Sequence, residues 1–257
     1  MIKNLRLIKY KSRNFSKNLF FKKKKVNNEK LLKANKELNR DGFSVVNNFL
    51  VTDECNIIIE DINKSLEKYK DSIISDKLNS DQRLYGFQKL NQKVNNFYLN
   101  EDIKNIGSNY IRGPIENAYV LANRVKFAEQ NEGSGGGWHR DNYNKQFKAM
   151  IYLTDVNENN GPLEIITGSH GIYKMIIHKK YFTNYFPNTR FKNEEVQKII
   201  HKEKNFKRLT AKAGTLILFD GSLIHRGAPL KTGIRYALTS YYYPEHQIHN
   251  YLNVKQV

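Results

Sequence analysis

The chain has 257 residues, 39% hydrophobic and 12% aromatic, which suits one ordinary domain with a ring-filled core. No run of about 18 apolar residues is present, so no transmembrane segment is expected, and the single cysteine, Cys55, excludes an internal disulfide and fits a reducing, cytoplasmic setting. The formal charge of +18 invites a nucleic-acid or membrane-surface partner, yet Lys, Asn and Ile are abundant throughout, as AT-rich coding produces, and nucleic acid is not the expected partner.

Part of the basic excess is local. Residues 1–28 carry ten Lys or Arg and no acid, including FKKKK at Phe21 to Lys25, and read as a disordered tail ahead of one folded domain, 29–257. The tail shares its lack of acids with organellar transit peptides, which makes organellar targeting the alternative to a cytoplasmic setting, although it is richer in Lys than Arg and poor in Ala; it has no secretory pattern. Glu29 to Asn39 reads as a helix with Leu31, Leu32 and Leu38 on one side, followed by an Asp41-Gly42 turn and a short strand, Phe43 to Val46. A second helix is expected with Thr52 as its cap and Ile58, Ile62 and Leu66 at helical spacing; Cys55 reads as a small apolar residue near its start. Residues 71–118 are mixed and polar, with a helix around Asn100 to Arg112 that stops at Gly113-Pro114.

After this helical part, about 29–117, the texture changes. Ala118–Gln130, Lys145–Val156, Pro162–Ser169, Gly214–Gly221 and Gly233–Pro244 are rich in β-branched and aromatic residues and bounded by turn formers. Short strands in this number point to a sandwich or double-sheet barrel, about 118–244. A basic insert, Gly171 to Lys212, interrupts it and holds a helix-like NEEVQKIIHKE.

The chemistry gathers around GGGWHRDNY, Gly135 to Tyr143. Residues two apart on a strand share a face, so His139 and Asp141 can reach one metal ion with Arg140 turned away. His225, in FDGSLIHRGAP, is the candidate third ligand; two histidines and a carboxylate form the facial triad of non-haem Fe(II) oxygenases. Arg235, ten residues later on the next strand-like segment, can grip a carboxylate with a two-pronged guanidinium.

The segments WHRD, NNGPLEIITGSH, AGTLILFDGSLIHRGAP and RYALTSYYYP, in this order, resemble the phytanoyl-CoA dioxygenase-like family of Fe(II)/2-oxoglutarate-dependent oxygenases. LNRDGFSVVNNFLVTDEC is similar to that family's opening helix and strand, so the resemblance covers roughly residues 36–244. It implies a mainly β fold with flanking helices, a double-stranded β-helix (a jelly-roll, cupin-like barrel). It also implies Fe(II) on His139, Asp141 and His225, with 2-oxoglutarate and O2 as cosubstrates and Arg235 on the distal carboxylate. Succinate and CO2 would be the coproducts. Retention of Asp141, which halogenating relatives replace with a small residue, implies hydroxylation. One departure touches a loop only: Thr167 stands where the family's turn usually has proline.

Lys148, Met150 and Tyr152 share one face of FKAMIYL, and if that face is the barrel interior, Lys148 or Tyr152 can help bind the cosubstrate. Trp138 is a candidate substrate-pocket residue, with core packing as its alternative role; Arg124 and Lys126 carry no assignment. EGSGGG lacks the Gly-Lys-Ser/Thr ending of a nucleotide loop and reads as a pliant approach to the metal strand. His170 is expected to brace its turn, while His178, His201, His246 and His249 are expected at the surface. The expected substrate is a small or carrier-linked metabolite, anionic if the basic insert forms a lid. An oxygenase acting on nucleic acid and a non-catalytic metal-binding barrel are the alternatives.

Overall fold

The computed structural model describes residues 7–9 and 21–257. After a helical stretch at residues 7–9, helix α1 (Glu29–Asp41) begins on the Asn28 side chain, which accepts the Leu31 N–H, and buries Leu31, Ala34 and Leu38. Strand β1 (Phe43–Val46) follows. Helix α2 (Thr52–Lys68) buries Cys55, Ile58, Ile62 and Leu66. Thr52 is its first helical residue rather than its cap: the cap position is Val51, whose N–H is taken by the Glu54 carboxylate. Two short strands, β2 (Ile74–Ser75) and β3 (Asp81–Tyr85), precede helices α3 (Gln92–Tyr98) and α4 (Glu101–Ile111), both capped by asparagine.

Then come β4 (Ile115–Lys126), β5 (Phe147–Tyr152) and β6 (Leu163–Ile166), helices α5 (Ile172–His178) and α6 (Asn193–Glu203), and strands β7 (Phe206–Leu209), β8 (Leu216–Asp220), β9 (Ile224–Gly227) and β10 (Ile234–Pro244). Seven strands form one sheet in the order β1-β8-β5-β10-β4-β3-β2, and three form a second, β7-β6-β9, with every ladder antiparallel. The chain thus crosses repeatedly between two sheets, the double-stranded β-helix expected from the sequence.

Period-two alternation separates two cores. Ala149 and Ile151 of β5, Leu216 and Leu218 of β8 and Leu238 of β10 face helices α1–α4. Tyr152, Ile217, Phe219 and Ala237 turn the other way and meet Leu163 and Ile165 of the small sheet. Lys148 alternates with Ala149 and therefore shares the inner face with Met150 and Tyr152.

The insert is smaller than expected at its C-terminal end. Phe206–Leu209, assigned to it from sequence, is a strand of the barrel, paired residue for residue with Leu163–Ile166. The rest packs around Trp138, Tyr143, Met175, Phe182, Tyr185, Phe191, Val196 and Ile199. Two stretches of the expected basic tail are also packed. Leu7 joins the insert's cluster, and residues 21–28 run along α4, where Lys24 and Asn109 exchange two hydrogen bonds and Asp102 accepts from the Asn27 and Asn28 N–H groups. Residues 1–6 and 10–20 of that tail lie outside the described residues.

Candidate metal centre

His139 and His225 are 86 positions apart in sequence and adjacent in space. Each donates its backbone N–H to the other's carbonyl, both at 2.9 Å, so they form a hydrogen-bonded antiparallel pair. Their rings lie 4.4 Å apart between centroids. Asp141, two residues along, is anchored by its N–H on the Gly221 carbonyl at 2.8 Å. One ligand atom from each of the three falls within 4.8 Å of the others: Asp141 Oδ1 is 3.8 Å from His139 Nε2, and Oδ2 is 3.7 Å from His225 Nε2. Among the described residues no other cluster of this kind occurs.

The backbone decides which ring nitrogens are free. His139 Nδ1 lies 2.8 Å from the Gly137 carbonyl and His225 Nδ1 2.9 Å from the Leu223 carbonyl. A carbonyl only accepts, so both Nδ1 atoms carry the proton and both Nε2 lone pairs are left for a metal. Burial lowers both imidazole pKa values, that of His225 to about 3, so the rings are neutral near pH 7. Burial would raise the Asp141 carboxyl, but Lys148 first, then the two imidazoles, overcome it and hold the pKa at about 2. Two neutral nitrogens and a carboxylate suit a divalent first-row ion, whose cis ligands bound at about 2.1 Å stand about 3 Å apart. The observed 3.8 and 3.7 Å separations of Asp141 from the two imidazoles lie less than about 1 Å above that value. The residues fit the metal.

Glycine matters just upstream. Gly135 has φ +93°, and a β-carbon there would stand 2.6 Å from His139 Cε1. EGSGGG is thus shaped by the imidazole it covers, and Arg190 of the insert pins it by donating from Nη1 to the Gly135 and Gly136 carbonyls.

Arg235 lies on the inner face of β10, opposite Val125 of β4, and is 1% exposed. Its Nη1 donates to the Gly161 carbonyl, while Nε is buried without a hydrogen-bond partner. Burial lowers its pKa; Tyr152 and Asp81 oppose that. A guanidinium enclosed with a donor unmatched is suited to an incoming carboxylate. Tyr152 sits near it, its hydroxyl accepting from the Leu163 N–H at 2.7 Å and donating to the Leu209 carbonyl at 3.1 Å. Lys148 reaches the metal-ligand cluster itself, with Nζ 2.7 Å from Asp141 Oδ2.

Trp138 is 2% exposed. Its indole lies under the Arg226 guanidinium at 4.5 Å, meets Phe206 edge-on and donates to Asn193 Oδ1, so it roots the insert in the small sheet. Arg140 is buried away from the cluster, beside the Tyr143 and Phe191 rings, with Nη1 donating to the Ser169 and Ser222 carbonyls. Arg124 is held by Gln82 and Asn63. His201, His246 and His249 are exposed as expected, but His178 is not: it is fully buried, 3.0 Å from Glu203 Oε1. Surrounding lysines do not make a position exposed when the opposite helix face is apolar.

Sequence reasoning missed a polar cluster on β3, where Arg83 and Asn123 both donate to Asp81, which shares the inner face with Arg235 through the β3–β4–β10 register. Asp220, which accepts from the Tyr110 hydroxyl at 2.6 Å and from the Gln146 and Ser222 N–H groups, also went unnoticed; it fixes the turn into β9.

The family model described as phytanoyl-CoA dioxygenase (PhyH) matches residues 38–236. The chain belongs to this family. As a PhyH-family member it is a 2-oxoglutarate-dependent non-haem iron oxygenase. No curated protein matches the chain. Solved structures share the fold at low identity. EctD from S. alaskensis with bound Fe is 17% identical with TM-score 0.63, over 86% of this chain and 79% of that one. The epimerase SnoN in complex with Fe3+, α-ketoglutarate and nogalamycin RO is 14% identical with TM-score 0.61, over 83% of each chain. HygX from Streptomyces hygroscopicus with nickel and 2-oxoglutarate is 14% identical with TM-score 0.55, over 83% of this chain and 87% of that one.

Proposed function

We propose that this chain hydroxylates a small or carrier-linked metabolite. His139 Nε2, Asp141 and His225 Nε2 hold Fe(II), and Arg235 receives the distal carboxylate of 2-oxoglutarate. The observation that carries this reading is the pair of Nδ1–carbonyl contacts, which leaves both Nε2 atoms free beside one carboxylate. Bound iron and keto acid supply the oxygen-activating chemistry, turning substrate C–H, O2 and 2-oxoglutarate into C–OH, succinate and CO2. The protein's own residues bind, orient and exclude water. Arg235 offers its unmatched Nε–H in a dry setting, where a charge-assisted bond is strong. Tyr152 holds β6 in place rather than a ligand, since its hydroxyl is already used in both directions. Trp138, Arg190, Lys192 and Glu195 border a cleft of about 270 Å³ beside Gly136; two cations face one carboxylate that already accepts from the Thr183 and Lys192 N–H groups, a balance that supports an anionic group on the substrate. The single buried thiol agrees with a cytoplasmic setting.

Anaerobic addition of Fe(II) and 2-oxoglutarate should give a weak visible charge-transfer band that is absent in Asp141→Ala. Arg235→Ala should keep iron and weaken 2-oxoglutarate binding roughly 10- to 100-fold. A band that persists in Asp141→Ala, or unchanged 2-oxoglutarate affinity in Arg235→Ala, would overturn these roles.

A further inference from the structure

Lys148 brings a buried ammonium to the three converging side chains. Its companions on the inner face of β5, Met150 and Tyr152, are ordinary for a barrel interior. A cation there costs several kcal/mol unless a counter-charge meets it. Its side chain is 5% exposed, with Nζ 2.7 Å from Asp141 Oδ2 and 4.3 and 5.7 Å from the Tyr241 and Phe219 ring centres. Tyr241 and Phe219 are its cross-strand neighbours on either side, so the ladder itself builds the slot.

Both oxygens of Asp141 are turned toward imidazoles, Oδ1 toward His139 and Oδ2 toward His225. A carboxylate so placed can chelate one cation through both oxygens, which would occupy four positions of an octahedral ion and leave two open instead of three. Oδ2, however, is buried and meets the Lys148 ammonium at 2.7 Å as an ion pair without an aligned hydrogen bond, and Gly221 lies so close that a β-carbon there would collide with Oδ2. Resting on the iron-site reading above, we infer that Lys148 is a positioning residue that withholds Oδ2 from the metal, so that Asp141 binds through Oδ1 alone and three positions stay open.

Mn(II) titration with water-proton relaxation reads the number of exchangeable waters on the ion without turnover. Wild type and Lys148→Arg should give equal relaxivity per bound Mn(II). Lys148→Met and Lys148→Gln, two neutral variants in case one does not fold, should lose about a third of it as one of three inner waters gives way to Oδ2. Unchanged relaxivity in a folded neutral variant overturns the inference. If that variant also binds Mn(II) more tightly, Lys148 competes with the metal; if it binds 2-oxoglutarate more weakly, Lys148 serves the cosubstrate. Wild-type protein that binds no Mn(II) would sink the iron-site reading itself, a separate failure.

Discussion

His178 shows how a single side chain can set the acid limit of the fold. Burial lowers its pKa to about 4, against the opposing pull of Glu203. A histidine whose folded pKa lies below its unfolded value of 6.5 takes up a proton on unfolding in acid. Its contribution is therefore whole above about pH 6.5 and drains away as pH falls toward about 4, a loss of about 3 kcal/mol. Melting temperature followed from pH 7 to about 5 should fall more steeply in wild type than in His178→Gln. Parallel curves would remove His178 from the acid response. The convergence of His139, Asp141 and His225 was legible in the sequence because a two-residue spacing pairs the first two and the segment FDGSLIHRGAP, which resembles a family motif, supplied the third. Burial of His178 was not, because its partner Glu203 lies 25 residues further along the chain, beyond the reach of any local pattern.

Among elements, the insert is tied to the metal-ligand segment rather than laid over it. Phe191 N–H bonds to the Trp138 carbonyl at 2.9 Å and Arg140 N–H to the Thr189 carbonyl at 2.8 Å, so residues 189–191 add an edge beside the pair His139–His225. Truncating the anchor, Trp138→Ala, should cost about 3–5 kcal/mol. It should also speed protease cleavage between residues 179 and 192 and weaken metal binding; an intact insert in the variant would show that the edge bonds suffice alone. The long apolar strands were readable from composition, β4, β5, β8 and β10 above all. Strands β3 (DQRLY) and β7 (FKRL) were missed for a physical reason: both carry charged residues where a half-buried strand would show apolar ones, and β3 uses Asp81 and Arg83 on the inner face. The edge at 189–191 is invisible to any local pattern, since its partner lies some 50 residues upstream.

For the whole molecule, charge is the property most open to misreading. Ten of the basic residues lie in the acid-free residues 1–28, the candidate metal centre lies within the barrel, and no helix among the described residues is long and apolar enough to cross a membrane. Short duplex DNA or RNA should show no retained binding at about 0.15 M salt by fluorescence anisotropy, and any low-salt binding should decline steeply with added salt and shrink when residues 1–28 are removed. Salt-resistant, sequence-dependent binding would instead favour a nucleic-acid substrate. The double-sheet fold followed from the count of strands and the order of motifs. How the tail and insert pack did not, because Leu7 meets the insert's apolar cluster and residues 21–28 meet α4, partners far along the chain.

The mutual backbone bonds of His139 and His225 carry a consequence for the newborn chain. While the ribosome still holds everything beyond Asp220, the emerged polypeptide owns only His139 and Asp141 of the three candidate ligands, a pair far too weak to trap a ferrous ion. Only when β9 threads into the small sheet does the second imidazole arrive, already oriented by its neighbour's amide. On the proposed ligand set iron capture would wait for closure of the barrel, and a loosely bound, oxygen-reactive ion would be kept away from a half-made protein.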